Sequence, residues 1–209
     1  MTVAHSFSRP LLDFSGAYRF TVEQYHRLID AGILPEDSSY ELLDGIVLRR
    51  GDWASDEDSM GHKTAHPLVV TLLSMLIARV NDSRRHLRIQ LPIILNDLNA
   101  PEPDGSIVRG SPRDYAQRLP RGEDVFCVIE AAETSLERDQ GDKAVVYASA
   151  GIPQYLLINL QRGIIENYTQ PDRSTGPYLT RAICTKGQSV LINLGDGQNL
   201  QANAGDLLP

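Results

Sequence analysis

The sequence predicts one α/β domain over residues 1–209, and three observations carry that prediction. A strongly apolar helical run from Pro67 to Val80 is followed by three strand-like segments, a second helix and a further strand ending at Leu160. Within that order, 125–130 is continuously apolar, as expected of a strand buried on both faces. At 209 residues, 42% hydrophobic and 22% charged, the chain has the size and composition of a globular domain with a real core. No internal repeat or low-complexity linker divides it.

Thr21 is a fitting cap for a short opening helix that sets Tyr25, Leu28 and Ile29 at helical spacing. After the Pro35 loop, 40–48 reads as a hairpin turned by Asp44-Gly45, a pair suited to positive φ. Residues 51–61 form an acidic, polar loop with the one tryptophan, Trp53. Pro67 suits the first position of the next helix, whose buried face takes Val69, Leu72, Leu73, Leu76 and Val80. Strands are expected over 87–95, 105–108 and 125–130. A helix over 139–150 stops at Gly151, 154–160 and 163–168 pair as a hairpin, and the Gly- and Asn-rich tail carries short strands around 189–193.

Charge and cysteine usage narrow the setting. The net charge of −7 argues against tight non-specific binding to nucleic acid, although Arg49 with Arg50, and Arg84, Arg85, His86 and Arg88, gather locally. No apolar run reaches the roughly 18 residues of a membrane span, and the N-terminus lacks a signal-peptide pattern. Cys127 lies in an apolar run and Cys184 stands alone, which fits a reducing, cytoplasmic setting without a disulfide framework.

The chemistry-bearing residues follow the strands. Asp104, after Pro103, stands at the mouth of one strand, Glu130 ends the next, and Lys143 follows on a helix. Two strand-borne carboxylates and a cation suit a divalent metal and a phosphodiester. Read alone, Asp104 fits a Pro-Asp-Gly turn, Glu130 a solvent-facing strand end, and Asp139, Lys143 and Tyr147 a helical stripe with an ordinary ion pair. Glu130 ends an apolar run, where an unpaired carboxylate would be destabilising. His62 and His66 are four apart, but Pro67 disfavours helical geometry at His66. They are not expected to share a helix turn, and His66 is expected to flank the helix near the pocket.

Together these residues resemble the PD-(D/E)XK nuclease superfamily, and more narrowly the bacterial family of putative restriction endonucleases long listed as a domain of unknown function. The matching residues are the Thr21–Tyr25 helix start, Glu41 within Tyr-Glu-Leu-Leu-Asp-Gly, Pro103-Asp104, Glu130, Asp139, Lys143, Tyr147 and the run from Ala150 to Tyr155. The resemblance spans 20–208 and implies a restriction-endonuclease-like core (helix, three strands, helix, strand) with an N-terminal helix and hairpin and a C-terminal β extension. It implies a metal-dependent endonuclease acting on nucleic acid, DNA foremost. Asp104, Glu130 and the backbone carbonyl of Ala131 would hold Mg²⁺ or Mn²⁺, Glu41 would complete the acidic cluster, and Lys143 would be catalytic. Glu133 is an alternative ligand. Cutting both strands would call for two active sites and so a homodimer.

The chain departs from the family pattern in places. Ala132 stands where the simplest motif has its lysine, 131–135 lacks the usual apolar, proline-containing run, and Leu156 replaces a frequent tryptophan. A non-catalytic nucleic-acid or protein-binding module on the same fold is therefore the alternative, with a small-phosphoester hydrolase third. Three carboxylates this close would leave at least one protonated without a metal. A neutral Lys143 at pH 7 would need a shift of roughly three units, about 4–5 kcal/mol, against the pull of adjacent acids, so Lys143 is expected to stay charged.

Overall fold

The computed structural model describes residues 16–36, 40–50, 64–133, 135–174 and 176–209. The expected loop at Trp53 and the residue His62 lie outside these. Helix α1 (Val22–Asp30) begins with a capping box. The Gln24 N–H donates to the Thr21 hydroxyl at 3.2 Å and the Thr21 N–H donates to the Gln24 side chain at 2.9 Å. Strands β1 (Tyr40–Leu43) and β2 (Ile46–Arg49) form the expected hairpin. Asp44 and Gly45 both take positive φ, 48° and 70°, the twist that a two-residue turn requires. A Cβ on Gly45 would lie 2.7 Å from that of Arg19, so the position also demands glycine on packing grounds. A bridge from Leu42 to Ala100 ties the hairpin to the body of the protein and directs Glu41 inward.

Helix α2 (Ala65–Met75) starts two residues earlier than Pro67 suggests, which makes His66 helical. The first four N–H groups of a helix have no intrahelical partner, so a proline in the third position interrupts nothing. The expected single helix breaks at Leu76, and α3 (Ile77–Val80) continues beyond it.

A six-stranded sheet follows, in the order β3 (Arg85–Ile89), β4 (Gly105–Arg109), β5 (Val125–Ala132), β6 (Gln154–Asn159), β7 (Ile164–Pro171) and β8 (Tyr178–Thr185). Only β5 and β6 are parallel, as a crossover connection requires. The first strand stops at Ile89 and does not reach 95: Gln90 takes φ 47° and turns the chain out of the ladder. Strand β8 is an addition to the expected set. Hairpin β9 (Ser189–Gly195) and β10 (Gln198–Asn203) extends further than the tail composition implies.

Both sheet faces are covered. Val69 and Leu73 of α2, with Val190, Ile192 and Ala202 of β9 and β10, pack on Ile107, Ile129 and Leu156. The crossover covers the other face, where Ala144 and Tyr147 meet Val128 and Leu157. Each fully buried aliphatic side chain here contributes about 1.5–3 kcal/mol. The crossover starts at Leu136, three residues before the predicted start, as α4 (Leu136–Arg138). It then widens into a π turn over Asp139–Lys143 and ends as α5 (Ala144–Ser149). Gln140 within the π turn donates to the buried carboxylate of Glu166 at 2.8 Å, and Glu166 also pairs with Arg181 at 2.7 Å. The wide turn is thereby anchored to β7.

Candidate active site

Residue alternation places the acids. Gly105 pairs with Ile129, and both face the α2 layer, so Asp104 and Glu130 come to the crossover side at one end of the sheet. Asp104 is buried. Its Oδ2 accepts from the backbone N–H of Ala131 at 2.9 Å and from His66 Nε2 at 3.1 Å. Its Oδ1 has only a long contact to Gln90 Nε2, 3.4 Å, and lies 3.9 Å from Arg50. Asp104 is thus tied into the sheet and is not a free turn residue.

Glu130 is buried beside it. Its Oε1 accepts from Lys143 Nζ at 2.9 Å and from the Tyr147 hydroxyl at 2.7 Å, while Oε2 accepts nothing from the described residues. Lys143, itself buried, also stands 3.2 Å from Glu41 Oε1 and 3.8 Å from Asp139 Oδ1. The four-residue stripe Asp139, Lys143, Tyr147 therefore turns inward as one unit, with Ser135 donating to Asp139. Glu41 arrives from the N-terminal hairpin and accepts from the Glu102 N–H at 3.4 Å. Glu102 holds Arg50 over the mouth.

The charges are unequal and the ionisations show it. Burial drives Glu130 up to about 8; Lys143 pulls it down, but Asp104, Asp139 and Glu41 push it up. Burial likewise raises Asp139 against the pull of Lys143. Burial would lower Lys143, yet Glu130, Glu41 and Asp139 hold its ammonium above the usual lysine range. The short Lys143–Glu130 contact and the two further acids keep Lys143 charged. Asp104 resists its own burial and sits low, because His66, the Ala131 amide and Lys143 favour its anion. The hydrogen bond to Asp104 in turn raises His66.

Asp104, Glu130, Lys143 and Glu41 thus meet in one place. Ala131 contributes its amide to Asp104, and Glu133 is buried just past the strand end. Among the described residues no three Asp, Glu, His or Cys side chains stand at ion-holding spacing, and the Lys143 ammonium fills the centre of the acid group. The direct contact of His66 with Asp104 is the element that sequence reasoning placed only loosely, as a flanking residue. Its signal was a histidine in the first turn of an apolar helix.

Comparison with known proteins agrees with this architecture. The crystal structure of a putative nuclease belonging to DUF820 from Anabaena variabilis ATCC 29413 has a TM-score of 0.61 to this chain, covering 90% of it and 97% of the other, at 14% identity. That likeness is one of fold. No curated protein matches. The sequence profile of Uma2, described as "Putative restriction endonuclease", matches residues 22–202, and on that match the chain belongs to the Uma2 family of putative restriction endonucleases.

Proposed function

We propose that the protein is a metal-dependent endonuclease that hydrolyses phosphodiester bonds of DNA. The observation that carries this reading is the convergence of buried Glu41, Glu130 and Asp139 on buried Lys143, with Asp104 adjoining. Its carboxylates outnumber its cations, so the metal-free fold keeps a proton on Glu130, and a bound dication would take that proton's place. The donors are all oxygens, which suits a hard dication. Among the described residues Glu130 Oε2 accepts no hydrogen bond and Asp104 Oδ1 only a long one, and these two oxygens would hold the ion together with the Ala131 carbonyl.

A bound Mg²⁺ or Mn²⁺ would supply an acidified water and Lewis acidity toward a phosphate oxygen. The residues of the chain do the rest. Lys143 fixes Glu130 through Oε1 and offers an ammonium to developing negative charge. His66 and the Ala131 amide fix the Asp104 carboxylate through Oδ2. Tyr147 keeps Glu130 from rotating. Cutting both strands calls for two such sites, so a homodimer belongs to the proposal.

The test pairs calorimetry with cleavage. The intact protein is expected to bind Mn²⁺ and nick supercoiled plasmid, and Asp104→Ala to lose both. A wild type that neither binds Mn²⁺ nor nicks DNA sinks the proposal. It would favour the binding-module reading, in which Lys143 alone balances the acids.

A further inference from the structure

The acidic site leaves a second polar cluster unexplained on the same face of the sheet. Leu87 and Ile89 pack toward the α2 layer, so His86 and Arg88 face the side that carries Asp104 and Glu130. Arg88 is paired directly with Ser106 of β4. Among the described residues, three buried atoms of this group have no hydrogen-bond partner: Arg88 Nε, Ser106 Oγ and His86 Nε2. The His86 Nδ1–H donates to the Gly110 carbonyl at 2.8 Å, so only Nε2 is left over. Buried polar atoms are nearly always satisfied in native proteins, and exceptions call for a missing partner.

Arg88 is the unusual member. Half-buried, it donates at 3.3 Å to the Pro92 carbonyl, and no carboxylate of the described residues pairs with it. It lies 5.9 Å from the centre of the Tyr115 ring. Arg118 shares that ring at 4.8 Å but is neutralised by Asp124 at 2.6 Å. Of the basic run at 84–88, Arg85 turns to the opposite face and donates to Leu194 and Gln198. Arg88 is therefore a half-buried guanidinium with no carboxylate partner among the described residues, and an anion joining it would offset its partial desolvation.

We propose that Arg88 forms a phosphate subsite that takes a backbone phosphate next to the one held at Asp104 and Glu130. A guanidinium fits a phosphate through two parallel N–H donors, and Arg88 is only half-buried, so part of it stays open to solvent. Arg88 pairs with Ser106, which lies two residues from Asp104 on the same face, roughly 7 Å along the strand, a separation on the order of one phosphate-to-phosphate step of a nucleic-acid strand. The oxyanion chemistry stands on the cluster itself; the assignment to a nucleic-acid strand rests on the nuclease reading.

The experiment uses the full chain in EDTA with two probes, inorganic phosphate and a labelled single-stranded oligodeoxynucleotide. Arg88→Met keeps the bulk and removes the charge, and Arg88→Lys keeps the charge without the fork. Arg88→Met is expected to melt above the wild type and to lose the upward shift that phosphate gives the wild type. It should bind the oligonucleotide about tenfold more weakly, with a salt slope shallower by about one phosphate contact. Arg88→Lys should keep the slope and lose about threefold in affinity. Lower stability of Arg88→Met would make the residue structural, with buried water satisfying Arg88 and Ser106, and would overturn the inference. So would unchanged oligonucleotide binding, even where plasmid nicking persists and the nuclease reading survives. Phosphate stabilisation that depends on Arg88, without oligonucleotide binding, keeps the subsite with a free phosphate as its occupant and overturns its assignment to a nucleic-acid strand, while the nuclease reading stands or falls on Mn²⁺ binding and plasmid nicking.

Discussion

Removing the Lys143 ammonium would leave Glu130, Glu41 and Asp139 buried against one another, since Nζ stands 2.9, 3.2 and 3.8 Å from their oxygens. Breaking a buried pair by deleting one partner destabilises by about 3–5 kcal/mol. Lys143→Ala is expected to lose stability on that scale in urea titrations without metal, and to lose nicking activity. Millimolar Mn²⁺ should restore part of the stability if the acids bind a cation; a stability unchanged by the substitution would contradict the charge balance described above. Tyr147→Phe is a finer probe, because it deletes only the 2.7 Å bond to Glu130 with almost no change of volume. It is expected to cost about 1–3 kcal/mol, read from the same titration.

The hairpin β1–β2 is the element that carries Glu41 to Lys143, and its turn is its weak point. Gly45 has φ 70°, and a Cβ there would meet Arg19 at 2.7 Å. Gly45→Ala should therefore destabilise by more than the roughly 1–2 kcal/mol of the left-handed penalty alone, and should weaken Mn²⁺ binding as Glu41 shifts. An unchanged melting temperature would refute the turn geometry. The elements that are legible in the sequence share this local character: the Thr21 cap, the Asp44-Gly45 turn and the apolar β5 each follow from neighbouring residues. Strand β8 is not legible, because Leu179 and Ile183 are exposed and leave no buried alternation to read. The π turn leaves no mark either, since Asp139, Lys143 and Tyr147 keep the four-residue spacing of an ordinary helix. Within the site, the acids and Lys143 can be placed from motif spacing. The His66–Asp104 bond joins residues 38 apart and depends on where α2 begins.

For the whole molecule, the unbalanced acids predict how stability runs with pH. Glu130 moves from an ordinary 4.5 to about 8 on folding, so between those values the folded chain keeps a proton that the unfolded chain releases. Stability then falls as pH rises, because the slope follows the difference in bound protons. His66 acts in the same sense: its raised value gives stability that is present below pH 6.5 and lost as pH climbs through the folded value. Asp104 acts oppositely, with stability present above the ordinary aspartate value of 3.8 and lost as pH falls below it, outside this window. In EDTA the protein is therefore expected to be most stable near pH 5 and to weaken steadily toward pH 8, with Glu130→Gln flattening the slope. A dication bound at Glu130 would displace the proton, so Mn²⁺ should stabilise more at pH 8 than at pH 5 and turn the profile over. A wild-type profile that is flat from pH 5 to 8 in EDTA would mean that Glu130 is already ionised in the fold. A Mn²⁺ effect independent of pH would place the ion away from this carboxylate.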